Sequence, residues 1–125
     1  MELLSDGMHL WLEQADDETL DSLNFGVIGI DSEGIVHRYN LYESNSALLP
    51  PGDAIGRPLF TDIARCMNNS LIAGRISQAR EKKQVLDTTI DYVLAFKSGT
   101  VPVQIRLLHS PDASMDYLLI KRIAT

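Results

Sequence analysis

The chain is poor in the residues that most often carry chemistry. Its 125 residues include one cysteine, three histidines and 6% aromatics. A lone cysteine excludes an internal disulfide and a multi-cysteine metal site, and it fits a reducing compartment. His9, His37 and His109 stand on unrelated segments with no ligand spacing, and no local signature of a Ser/His/Asp hydrolase is present, so an enzyme is not expected. Long apolar runs are missing too: nothing approaches the length that spans a bilayer. The acidic start MELLSDGMHLWLEQADDE is neither a signal nor a transit peptide, and a cytoplasmic protein without membrane contact is expected. Positive charge is short as well. Eleven Lys and Arg against seventeen Asp and Glu leave a net charge of −6, which repels phosphate backbones and argues against nucleic acid as a partner. The one basic cluster, Arg75, Arg80, Lys82 and Lys83, falls near an expected helix end, where cations suit the helix dipole.

What the chain does have is an ordinary globular composition, 45% hydrophobic and 22% charged, and length enough to bury a core as one domain over 1–125. Asp6 is placed to cap a helix over Met8–Gln14, whose apolar residues are crowded rather than striped. The acids of DDETLDSL suit a second helix start. FGVIGI reads as a strand, DSEG as a turn and IVHRY as the second arm of a hairpin. NLYESNSALL and PPGD suit short helical pieces and loop, and Pro58 opens PLFTDIARC in the position where a helix best tolerates proline. Ile72, Ile76 and Ala79 recur at helical intervals and predict the longest helix over 69–83. The period then changes to two, predicting strands over 85–96, 100–109 and 114–123 with turns at KSG and SPDA. Five strands with helices gathered mid-chain make an α+β layout, an antiparallel sheet with helices covering one face. Residues 1–24 read as an N-terminal helical cap on a core of 25–125. Short helices pack imperfectly over such a sheet, and the two can enclose a small-ligand pocket.

Taken singly, Cys66 reads as a small buried hydrophobe, Tyr39 as a half-buried sheet residue and Glu43 as a solvated acid. Their joint placement changes that. LDSLNFGVIGIDSEGIVHRYN (20–40) and AIGRPLFTDIARC (54–66) resemble the matching stretches of the photoactive yellow protein family, blue-light receptors with a PAS fold. Several features match together: the LxFG before the first strand, the D-x-x-G hairpin turn, the YN closing the second strand, and the IG ahead of a helix ending in Cys. The separation of Tyr39 and Cys66 matches without a gap. The resemblance covers nearly the whole chain, weakening after Cys66 and recovering in the closing KRI. It implies a PAS fold and a chromophore, p-coumaric acid (4-hydroxycinnamic acid), joined to Cys66 by a thioester. Tyr39 and Glu43 then match the residues that hydrogen-bond the phenolate oxygen, and their four-residue spacing puts both on one face if the chain turns helically after the strand. The chemistry is coherent. A thiolate attacks activated acyl groups. A phenol has a pKa of about 10 that burial raises further, so a buried phenolate needs strong donors. A tyrosine hydroxyl is one; a glutamic acid is another, but only while protonated, the state burial favours. The resemblance implies that light makes Glu43 give up its proton, and that the newly charged, buried carboxylate loosens the structure.

Three positions depart from the family's pattern. Ala47 stands where Thr is usual, Leu49 where Arg is usual, and Arg65 where proline is usual. Ala47 and Leu49 are counted with Cys66, Tyr39 and Glu43 as chromophore-binding positions, and their identity puts the spectral tuning in question. Arg65 reads as an exposed helix-end arginine, with a positive influence on Cys66 as the other possibility. The function implied is blue-light sensing passed to a separate signalling or regulatory protein, with a homodimer through PAS contacts as a second association. The alternative is a pigment-free PAS module that binds another small ligand or a regulatory protein. Leu10, Trp11 and Leu12 would either serve association or cover the domain's own sheet. A haem-binding PAS domain using His37 or Cys66 is a further alternative.

Overall fold

The computed structural model describes residues 1–96 and 98–123. The segments of period two form one antiparallel sheet of β1 (Gly26–Ile30), β2 (Val36–Tyr39), β3 (Leu86–Phe96), β4 (Gly99–His109) and β5 (Asp116–Arg122). Its order is β2-β1-β5-β4-β3. Ile28 pairs with Tyr39 on one side and Leu118 on the other, and Val103 pairs with Tyr92 and Arg122. The expected KSG turn falls partly on Lys97, outside the described residues. Among the described residues no helix is long and apolar enough to cross a membrane.

Alternation sends successive strand residues to opposite faces. One face presents Ile28, Ile105, Leu118 and Ile120 to Leu59, Met67, Ile72 and Ile76 of the mid-chain helices. Those are α3 (Leu41–Ala47), α4 (Pro51–Ala54) and α5 (Ala73–Glu81), with two irregular turns between α4 and α5. This is the helix-covered face that the sequence predicts. The second face is covered as well. Val27, Leu108, Tyr117 and Leu119 lie under Leu3, Met8, Leu12 and Leu20 of the N-terminal segment, which carries α1 (Met8–Gln14) and α2 (Asp17–Asp21). Leu12 is fully buried there, Trp11 packs at its edge and Leu10 stays exposed.

Two buried arginines of the sheet grip this segment by its backbone. Arg38 of β2 donates to the carbonyls of Leu12 (2.6 Å) and Ala15, and to Tyr117 Oη (3.2 Å). Arg106 of β4 donates to the carbonyls of Leu3 (3.1 Å) and Ser5 (2.8 Å), while Asp87 of β3 takes its other edge with two 2.8 Å bonds. The carbonyls of Leu12 and Ala15, at the C-terminal end of α1, are thereby given the partner that the helix cannot supply.

Three local expectations change. Asp6 does not cap α1: the cap is Gly7, whose φ of 69° lies in the left-handed region that glycine adopts without a Cβ clash. The helix expected over 69–83 begins only at Ala73. Asn69 holds the preceding residues as a turn, its Oδ1 accepting from the N–H groups of Leu71 and Ile72, both at 3.1 Å. Pro58 opens no α-helix. It is extended, followed by a π-turn over Leu59–Ile63 and a 3-10 turn over Arg65–Met67. One member of the basic cluster is tied inward: Arg80 pairs with buried Asp116, which also bonds His109 Nδ1 at 2.6 Å.

Candidate functional site

The strand–helix junction at Tyr39–Glu43 is built by Asn40. Its Oδ1 accepts from Glu43 N (3.2 Å) as the cap of α3, and from Val27 N (2.9 Å) of β1. Its Nδ2 donates to the carbonyls of Leu20 (2.8 Å) and Phe25 (3.0 Å). The turn begins at once after β2, so Tyr39 and Glu43 face the same side, as their spacing requires. Both are 6% exposed. On the opposite wall, the 3-10 turn presents Cys66, which is partly buried against the core. Tyr92 of β3 fixes that turn, donating its hydroxyl to the Cys66 carbonyl at 2.5 Å, and Asn69 Nδ2 donates to Tyr92 Oη at 2.5 Å.

The two walls enclose a cavity of about 400 Å³, whose lining includes Tyr39, Glu43, Ala47, Cys66, Met67 and Phe96. Four of the five predicted positions thus meet in one space. Leu49 does not; it packs against the same core but outside the lining. Arg65 is exposed, and its Nε donates back to the Thr61 carbonyl at 2.8 Å. His37 lies elsewhere, half exposed and bonded to Asp31 at 2.7 Å, which removes it as a ligand to this cavity. A larger groove of about 580 Å³ runs between α1, the start of β3 and the end of β4. It contains neither the thiol nor the Tyr39–Glu43 pair, and Arg106 beside it is closed off by Asp87. The chemistry-bearing groups stand in the smaller cavity.

Burial controls their protonation. It pushes the Glu43 carboxyl up to about 7, with the positive charge of Arg122 pulling the other way. Burial, joined by the charge of Glu43, pushes the Tyr39 hydroxyl well above the usual phenol range. No hydrogen bond contributes to either shift. Near neutrality the cavity therefore holds a protonated tyrosine and a glutamic acid whose hold on its proton burial has strengthened. Among the described residues no group of three His, Cys, Asp or Glu could hold a metal ion.

The photoactive yellow protein of Cereibacter sphaeroides is 32% identical to this chain over 101 residues, spanning 81% of each. The chain belongs to the photoactive yellow protein family. The family's protein from Rhodobacter capsulatus is 31% identical over 102 residues, 82% of each chain. Among solved structures, the photoactive yellow protein domain of the sensor histidine kinase Ppr from Rhodospirillum centenum superposes with a TM-score of 0.83. It is 29% identical, and the match covers 90% of this chain and 98% of that domain. No protein-family model matches the chain. The fold is thus the PAS fold of this family, whose members are sensory domains.

Gly26, Tyr92 and Asn69 are site residues that pattern reading misses. Gly26 shares the face of Ile28, directly beneath Glu43: a Cβ built there would stand 2.2 Å from Glu43 Oε1 and 3.2 Å from Glu43 Cβ. Gly26→Ala is therefore expected to drive the carboxyl out of its place. The cost should be about 1–3 kcal/mol, typical of an added methyl in a packed site. The Glu43 titration midpoint should fall from about 7 towards the ordinary carboxylate range. Chemical denaturation together with a carboxyl-resolved titration checks both, and an unmoved midpoint would show that Glu43 has room to spare.

Proposed function

We propose that this chain is a blue-light receptor in which Cys66 carries a 4-hydroxycinnamoyl group as a thioester and Tyr39 and Glu43 hold its phenolate. The observation that carries the reading is the convergence of one thiol, one buried hydroxyl and one buried carboxyl, whose proton affinity burial raises, on a single cavity. The fit is chemical as well as spatial. The Tyr39 hydroxyl and Glu43 carboxyl have donors to give, and a buried anion is the acceptor that gains most from them. When bound, the group supplies light absorption and a double bond that isomerises. The remaining work belongs to the chain. Cys66 Sγ, as thiolate, forms the S–C bond while the activating group leaves. Tyr92 and Asn69 hold the turn that aims it.

Glu43 is poised to release a proton near neutral pH. Once ionised it is a buried carboxylate to which none of the described residues donates a hydrogen bond, a costly state. Its helix is tied through Asn40 to Leu20 and Phe25, so strain at Glu43 reaches residues 1–24, which we propose act as a cap whose loosening is read by a separate signalling protein in the cytoplasm.

Incubation with 4-hydroxycinnamic anhydride tests the reading. The intact mass should rise by one acyl group, with a visible absorption band appearing in the folded adduct, and Cys66→Ser should abolish both. An unmodified Cys66, or an adduct whose absorption matches the free thioester, would overturn the proposal in favour of a pigment-free module.

A further inference from the structure

Arg122, at the end of β5, is not among the positions counted as chromophore-binding, yet three contacts place it beside the cavity, just outside the lining. Its guanidinium lies over the ring of Phe96, 5.7 Å from the centroid, and Phe96 lines the cavity. Its Nη2 donates to the carbonyl of Ser46 at 2.5 Å, in the last turn of α3. Its backbone N–H donates to Tyr42 Oη at 3.4 Å. Arg122 therefore fastens the helix that carries Glu43 to the strand that carries Ile120, another lining residue. Both guanidinium contacts are with neutral groups, an aromatic face and a carbonyl, and neither cancels its charge. Among the described residues no carboxylate lies within ion-pair distance of it.

The other charged or titratable groups around Glu43 do not compete. Tyr39 on β2 and Tyr42 on its own helix bring hydroxyls rather than a cation. On the wall that carries Cys66, Asp62 is turned to Arg57 (3.4 Å) and Arg65 to the Thr61 carbonyl. β1 offers Gly26 and Ile28, and β3 offers Leu94 and Phe96. Position 49 holds leucine, outside the lining. Among the described residues Arg122 is the cation whose charge bears on Glu43.

The geometry points to Arg122 as the specificity-determining cation of the Cys66 cavity, a positioning residue that makes the cavity favour an anionic occupant over the neutral form of the same molecule. This rests on the reading of the cavity as a binding site, and it deepens that reading by naming what selects the charge of the ligand. The guanidinium acts at one remove, from behind Phe96 and the end of α3. It shapes the field of the cavity without occupying it, and low local dielectric lets that field reach the occupant.

The test has two arms, so that failure of the pigment and failure of Arg122 are told apart. In the unloaded protein, the Glu43 carboxyl is followed by isotope-edited infrared titration in the parent, Arg122→Lys and Arg122→Met. Arg122→Met should raise the carboxyl's proton affinity by about threefold or more, half a pH unit, and Arg122→Lys should restore most of the difference because charge, rather than the planar stack, is what acts. In protein loaded with the 4-hydroxycinnamoyl group, the phenolate band should give way to the protonated band at a higher pH in Arg122→Met by a similar factor. An unmoved Glu43 midpoint in Arg122→Met overturns the proposal whether or not any pigment binds, and so does a lysine variant that behaves like the methionine one. If Arg122→Met fails to fold, Arg122→Gln supplies the neutral side chain with the same expected direction. A protein that takes no pigment but shows the Glu43 shift sinks the receptor reading and leaves Arg122 as the cavity's cation.

Discussion

Glu43→Gln is expected to be more stable than the parent at pH 8, with most of the advantage gone by pH 5. The parent's carboxyl has an ordinary value of 4.5 in the unfolded chain and about 7 in the folded one, raised by burial. Between those limits the native state keeps a proton that the unfolded state has lost. Stability therefore falls as pH rises through that window. The full separation corresponds to roughly 3 kcal/mol of order-of-magnitude cost above pH 7. Glutamine has nearly the same shape and no charge to bury, so its curve should be flat over the same range. Urea denaturation of both proteins at half-unit steps from pH 4.5 to 8.5 shows the crossing. Two parallel curves would mean that Glu43 is not held in the cavity as described.

Arg38→Ala should be the most damaging single change on the opposite face, costing about 3–5 kcal/mol and freeing the N-terminal segment. Its ion pair with Asp17 contributes little, because that carboxylate is 88% exposed and solvent screens it. The loss comes from the carbonyls of Leu12 and Ala15 and the hydroxyl of Tyr117, which the guanidinium satisfies from a buried position. Each buried acceptor left without a donor costs about 1–3 kcal/mol, and the vacated volume adds to that. Hydrogen exchange should show protection lost over residues 8–21 well before β4 and β5 open. Uniform loss across the sheet would assign Arg38 to the core rather than to a local grip.

Much of this architecture can be read from local pattern. The change to period two after α5 marks three strands whose limits lie within two residues of those observed, because alternation on a pleated sheet is a local property. The Tyr39–Glu43 relationship needs only a helix starting straight after a strand, and Asn40 is itself a capping signal. Other features depend on partners far along the chain. Nothing near Arg38 or Arg106 marks either as buried; their acceptors are 19 to 103 residues away. Tyr92 reads as one more strand residue until β3 brings it to the carbonyl of Cys66. Gly26 reads as part of FGVIGI, and only the passage of Glu43 overhead explains why a side chain is missing there. Leu49 counts as a chromophore-binding position only by correspondence with the family's arginine and stands outside the lining, whereas the cation proposed for the cavity comes from the other end of the chain at Arg122.

The π-turn before Cys66 makes the position of the thiol a matter of counting. Ala64 N–H closes on the carbonyl of Leu59, five residues back, at 2.7 Å, where an α-helix would close on the fourth. That spare residue sits between Pro58, which is anchored by a bridge to Ile35, and the 3-10 turn that Tyr92 secures. Deleting any one residue of 59–63 would allow ordinary helical closure, and each residue removed turns whatever follows by about 100°. The sulfur would then swing away from Tyr39 and Glu43 although every residue of the site was still present. For recognising this site in a related sequence, the number of residues from Pro58 to Cys66 is therefore as informative as their identities, and a chain that keeps the cysteine but changes the count has moved it to a different wall.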